Sequence, residues 1–291
     1  LKIIKKVLPM NHNIFYFGDL HVGSILHYRK GFLKLKEIVC NEYDGIPAKD
    51  NYLVDHGDQF EAIAIDDKRF DPLMHAEKKD FYVDHQYEEV KKLYEPIKEK
   101  ILAILYGNHL QKHKGICNYA KKLAGELEVE YGTWSCKIHY INNNGSLMYK
   151  SYHTHGRKQV NSYADDPKRR KVGKQLILKR QLREKFGDCV VMCKGHTHKL
   201  IVCPPERELY LTDSGRKTVQ NYTSHTEGQN KQYIHPDNRW YVNTGSFMKM
   251  YADDQEVSGY AEMAEYDPVE LGFVVGKCRN GKIVDVKEII L

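Results

Sequence analysis

Five times along this chain a short strand-like run stops on residues able to bind a cation. Asn13 to Phe17 runs into Gly18-Asp19-Leu20-His21, Asn51 to Val54 into Asp55-His56-Gly57-Asp58, and Ile101 to Tyr106 into Gly107-Asn108-His109. Leu147 to Tyr152 ends at His153-Thr154-His155-Gly156, and Val190 to Cys193 ends at Lys194-Gly195-His196-Thr197-His198. Short apolar runs closed by Gly and polar turn residues read as buried strands. A strand end is a rigid place from which to hold a ligand, and imidazole is the commonest nitrogen ligand for divalent metals.

Between these runs the periodicity alternates. Leu26, Phe32, Leu33, Leu35, Ile38 and Val39 share a helical face within 24–43, so the chain opens with a strand-helix unit of the α/β class. A long loop is expected over 59–82, then a charged helix over 86–100 that Pro96 interrupts, and a further helix over 120–127. Trp134 to Ile141 and Leu147 to Tyr152 read as antiparallel strands joined at Asn142-Asn143-Asn144-Gly145. Leu200 to Cys203, Trp240 to Asn243, Tyr260 to Tyr266, Leu271 to Gly276 and Lys282 to Ile290 read as strands, and 213–238 as a polar loop. With no repeat and no linker, one domain over 1–291 is the simplest account, carrying a basic helical insertion at about 157–187.

Hydrophobic residues make up 41% of the chain, enough for a real core. No apolar stretch nears the roughly 20 residues that span a bilayer, and the first residues are too polar for a secretory leader, so a cytoplasmic protein with no membrane partner is expected. The seven cysteines show no CxxC pair and read as ordinary buried thiols. The net charge of +6 is concentrated: Arg157 to Lys185 holds eleven Lys and Arg against Asp165, Asp166 and Glu184. Such a stretch is either a solvated helix face or a contact for a polyanion.

Carboxylates, histidines and an amide together suit a pair of borderline or hard divalent ions. Two such ions need a bridging carboxylate, and a water bridging them becomes hydroxide near neutral pH, which makes hydrolysis of a phosphate ester the natural chemistry. Singly, Asp19, Asp58 and Asn108 are explained by turn chemistry, since Asp and Asn often follow strands. His56, His113, His225 and His235 read as surface or supporting groups and stay outside the metal set.

In their order, DxH, GD, GNH, H and GHxH resemble the calcineurin-like metallophosphoesterase superfamily, in a compact form of its Mre11-like and phosphodiesterase branch. The resemblance implies a four-layer α/β/β/α sandwich of two mixed β-sheets flanked by helices. It implies two divalent ions, manganese first and iron, zinc, nickel or magnesium as alternatives. One would be held by Asp19, His21 and His198, the other by Asn108, His155 and His196, with Asp58 bridging. His153 stays open as an alternative to His155, because side chains two apart on a strand point the same way. His109 is similar to the family's non-ligand histidine, which acts with Asp58 and Asn108 in catalysis. Leu110 departs from branches that have an acidic residue there, so His109 must be oriented otherwise or be a weaker acid.

The GDxxDRG of phosphoprotein phosphatases is missing, whereas GDLHVG is similar to the first Mre11-type motif. The expected activity is a phosphodiesterase or nuclease acting on nucleic acid, DNA included, or on nucleotides, with Arg157, Lys158, Lys168, Arg169 and Arg170 as substrate contacts. A phosphomonoesterase, a cyclic-nucleotide phosphodiesterase and an inactive binding scaffold are the alternatives.

Overall fold

In a computed structural model, which describes residues 1–74, 82–253 and 258–291, the chain builds two large mixed sheets. The first contains β1 (Lys2–Val7), β5 (Ser135–Ile141), β6 (Leu147–Thr154), β7 (Val191–Lys194), β8 (Leu200–Cys203) and β11 (Trp240–Thr244), in the order β1-β5-β6-β7-β11-β8. The second contains β2 (His12–Phe17), β3 (Asn51–Asp55), β4 (Ile101–Ile104), β12 (Gly272–Arg279) and β13 (Lys282–Ile290), in the order β13-β12-β2-β3-β4. A separate hairpin joins β9 (Leu209–Asp213) to β10 (Thr218–Tyr222).

Why the sheets stack is written in the side-chain alternation of their buried strands. Along β2, Phe15 and Phe17 face one way and join Phe32 and Leu35 of α1 (Arg29–Val39), Val90 of α2 (Tyr82–Tyr94) and Leu123 of α3 (Tyr119–Glu126). Ile14 and Tyr16 face the other way, against Ile138, Tyr140, Val191 and Val242 of the six-stranded sheet. Met192 then points outward from that sheet, to Leu178 and Leu182 of α4 (Pro167–Leu182). Period two on both sheets therefore yields helix, sheet, sheet and helix in four layers. This is the architecture expected from the sequence.

Local chemistry sets the boundaries. Helix α2 stops at Tyr94, and Pro96 lies in the 3₁₀ turn Glu95–Lys100 that follows. Helix α4 starts where the Asp166 carboxylate accepts the Arg169 amide at 2.8 Å, with Pro167 in its first turn. Three readings differ from the structure. Residues 260–266 form a short helix, α5 (Tyr260–Met263), rather than a strand, and β10 lies within the expected polar loop at 213–238. Strand β1 was not anticipated. The expected loop over 59–82 holds no helix or strand as far as residue 71, a 3₁₀ turn follows at Pro72–Met74, and 75–81 lie outside the described residues. Cys40 is exposed and Cys117 half-buried, while the other five thiols are buried. Among the described residues no helix is long and apolar enough to cross a membrane.

Strands β2, β3 and β4 are parallel, so their carboxyl ends lie along one edge. Strands β6, β7 and β11 are parallel in the facing sheet. Ligands in open α/β sheets bind beyond the carboxyl ends of the strands. The two edges meet there.

Candidate metal centre

The backbone at this edge is bent in an unusual way. Asp19, His21, Asp58, His196 and His198 all have φ between 48° and 74°, in the left-handed region that side-chain-bearing residues rarely adopt. Such conformations persist where surrounding contacts impose them, and they concentrate at functional sites. Here the contacts are visible: the Asp19 amide donates to Gly57 O at 2.9 Å and the His21 amide to Asp58 O at 3.0 Å. Gly107 makes the close approach possible, because a Cβ there would lie 2.0 Å from Asp58 Oδ1.

Asp19, His21 and His198 form the first group of converging donor atoms. His21 Nδ1 donates to Glu61 Oε2 at 2.8 Å, so its Nε2 carries the lone pair, and that atom lies 3.1 Å from His198 Nε2. Asp19 Oδ1 is buried without a hydrogen-bond partner among the described residues, 4.0 Å from His21 Nε2 and 3.7 Å from His198 Nε2. The other oxygen, Oδ2, accepts the His196 amide at 2.9 Å. An orphaned buried carboxylate oxygen facing two imidazole nitrogens is a costly arrangement that a cation resolves. The residues fit a divalent ion of the kind that takes nitrogen and oxygen ligands.

The second group is Asp58, His155 and His196, joined by Asn108. His155 Nδ1 donates to the His56 carbonyl at 2.7 Å, which turns Nε2 toward Asn108 Oδ1 at 2.9 Å and Asp58 Oδ2 at 3.1 Å. Hydrogen bonding the far ring nitrogen to a backbone carbonyl is how proteins orient a metal-binding histidine. Burial disfavours charge on His155, yet the neighbouring Asp58 and Asp19 carboxylates outweigh it and raise its pKa to about 9. Asp58 is held well below the usual carboxylate range by His155 and His109 despite its burial. Burial pushes Asp19 up to about 7. These shifts describe two buried carboxylates in need of positive charge, and a divalent ion would displace the His155 proton to supply it.

His109 belongs to a third overlapping group with His21 and Asp58. Its Nδ1 donates to Glu61 O at 2.6 Å, and its Nε2 lies 4.0 Å from Asp58 Oδ2. Glu61 thus holds His21 with its carboxylate and His109 with its carbonyl. It performs the orienting task that Leu110 cannot; the Leu110 side chain is buried in the core. Sequence reasoning missed Glu61, although its place three residues after Asp58 was the available signal.

Arg69 was also missed. Its Nε and Nη2 pair with Asp67 Oδ1 at 3.0 Å and Oδ2 at 3.1 Å, and its Nη1 lies 3.3 Å from His109 Nε2. A cavity of about 370 Å³ opens beside these groups, with Asn108, His109, Arg69, Lys112 and Arg157 in its wall. Arg157 lies over the Trp134 ring at 5.5 Å and donates to Gln111. Lys158, Lys168, Arg169 and Arg170 are not in that wall. Lys158 is exposed, with its carbonyl accepting from Lys194, and the other three belong to α4, which packs on β8 and β11.

His153 is brought to a different place from His155. It lies buried between the sheets with His56 and Cys193, its Nδ1 3.0 Å from His56 Nε2 and its Nε2 2.6 Å from Ser151 Oγ. Both its nitrogens are satisfied by protein.

No family model matches the chain, and no curated protein matches it. Among solved structures it is similar to a conserved uncharacterized protein of Streptococcus pneumoniae TIGR4, described as a predicted phosphoesterase. The identity is 12% over 97% of this chain and 98% of that one, with a TM-score of 0.28.

Proposed function

We propose that the chain is a two-metal phosphoester hydrolase that cleaves phosphodiesters of nucleic acid or nucleotides. The observation that carries this reading is the position of Asp58, whose carboxylate belongs both to the group with His155 and His196 and to the group with His21 and His109. On this reading Asp19, His21 and His198 hold one ion, Asn108, His155 and His196 hold the other, and Asp58 lies between. A divalent pair in such a set supplies polarisation of a phosphoryl oxygen and activation of water at neutral pH. Nitrogen and oxygen donors without thiolate suit manganese, with iron, zinc, nickel and magnesium as alternatives.

The chain's own residues supply the rest. Glu61 O accepts the Nδ1–H of His109 and Arg69 Nη1 lies 3.3 Å from Nε2, so Nε2 is the atom turned to the cavity, where an imidazole can exchange a proton with the reacting group. Asp67 braces the Arg69 guanidinium, so a phosphoryl group beside His109 meets a preoriented fork rather than a floppy cation. The excess of Lys and Arg over 157–185 favours a polyanionic substrate over a neutral one.

The test uses bis- and mono-(p-nitrophenyl) phosphate with added manganese. The diester should be cleaved in preference, and Asp58→Asn should lose at least about 100-fold in kcat, at or beyond the top of the range for outer-shell changes. Cleavage of the monoester alone would make the protein a monoesterase. Hydrolysis that persists in Asp58→Asn would remove the bridging role.

A further inference from the structure

The cavity beside His109 has more room and more cationic charge than a single phosphoryl group needs. At about 370 Å³ it falls within the range of roughly 300–1,000 Å³ typical of small-molecule clefts. Its three cations differ in how their charge is met. Arg69 is paired with Asp67 through two hydrogen bonds, and Lys112 is paired with Asp66 at 2.9 Å. Arg157 has no carboxylate partner among the described residues; it rests on the Trp134 face and on the neutral amide of Gln111. Arg69 touches His109, whereas Arg157 rests on Trp134, whose ring lies 6.3 Å from that of His155. One guanidinium is therefore placed at the phosphoryl position and a second, uncompensated one is held elsewhere in the same wall. Guanidinium forks match phosphate oxygens in geometry as well as charge.

We propose that the cavity is a two-point anion site: Arg69 meets the phosphoryl group beside His109, and Arg157 takes a second phosphate of the same substrate. This rests on the phosphoester reading and narrows it. The favoured substrates are those with a second phosphate next to the scissile group, as in a polynucleotide or a nucleotide bisphosphate, and α4 is not their primary contact.

Calorimetric titration with AMP and with adenosine 3′,5′-bisphosphate tests this, on the metal-free chain and again with manganese. Wild type should bind the bisphosphate about tenfold or more tightly than AMP, the scale of one charge-assisted hydrogen-bonded contact. Arg157→Ala should collapse that ratio toward one, and Arg157→Gln should do the same while keeping a polar side chain of intermediate length. Arg69→Ala should weaken both ligands and leave the ratio. A wild-type ratio near one, or a ratio unchanged in both Arg157 variants, overturns the proposal. Thermal melts check that each variant is folded. If manganese fails to bind while the metal-free chain still prefers the bisphosphate in an Arg157-dependent manner, the hydrolase reading falls and the anion site stands.

Discussion

His153 and His155 are two residues apart at the end of β6, both fully buried, and they live in opposite chemical states. Both ring nitrogens of His153 have partners. Ser151 Oγ and the Tyr140 hydroxyl are hydrogen-bonded at 3.0 Å, Ser151 Oγ meets His153 Nε2, His153 Nδ1 meets His56 Nε2, and His56 Nδ1 is 3.2 Å from both Phe17 O and Val54 O. A single set of neutral tautomers satisfies that chain. Burial holds His56 and His153 far below the ordinary imidazole pKa, consistent with neutral rings. Around His155 the count fails: its Nε2 faces two acceptor atoms, and Asp19 Oδ1 nearby has none to pair with. Buried histidine is therefore not the mark of the site. What marks it is an unmatched carboxylate oxygen, Asp19 Oδ1, facing two imidazole nitrogens. His56 serves both regions, its ring closing the satisfied chain and its carbonyl aiming His155.

Substitution should separate the two regions strongly. His155→Ala is expected to lower manganese affinity at one of two ions by about 100-fold or more, with little loss of stability in the metal-free chain. His153→Ala should do the reverse, costing about 2–4 kcal/mol of metal-free stability through a void and unpaired Ser151 and His56 atoms. Manganese titration and denaturant melts of both variants read this out. An exchange of the two phenotypes would make His153 the ligand.

A smaller effect concerns acid. His12 resembles His153 in being satisfied while neutral, with Nδ1 on Pro9 O at 2.7 Å and Nε2 on the Tyr149 hydroxyl at 2.7 Å. Burial lowers its pKa to about 4. Between the ordinary value of about 6.5 and 4 the unfolded chain binds a proton that the folded chain does not, so stability falls as pH drops through that window and this contribution levels off below it. Its size is on the order of 3 kcal/mol at most. Urea melts from pH 7 to pH 4 should show the decline, and His12→Gln should lessen its slope by the share of one proton, His56 and His153 keeping theirs. An equal slope in that variant would assign the acid response to other groups.

What could be read from the chain depended on distance along it. Each strand-end motif is contiguous, so Asp19, His21, Asp58, Asn108, His155, His196 and His198 stand out within a few residues of an apolar run. Glu61 and Arg69 do not. They sit in an irregular segment, Glu61 beside Ala62 at φ 39° and Arg69 further along, and reach His21 and His109 only through the folded chain. Alternation failed for β1, where Lys2, Lys5 and Lys6 on an edge strand hide the pattern; charged side chains are how edge strands resist further pairing. Tyr260 to Tyr266 holds a helical turn in place of the expected strand, and Ala261, Glu262, Met263 and Ala264 after Gly259 favour it. The hairpin of β9 and β10 carried a turn signal in Asp213-Ser214-Gly215 that composition alone obscured.

The central claim is that two donor sets joined at Asp58 hold two ions, and the stoichiometry of manganese at saturation tests it most directly. Calorimetry with elemental analysis of the dialysed protein should give two ions per chain in wild type. His198→Ala should retain one tightly bound ion, because His196 serves the other set. One ion or none in wild type, or equal weakening at both positions in His198→Ala, would contradict the account.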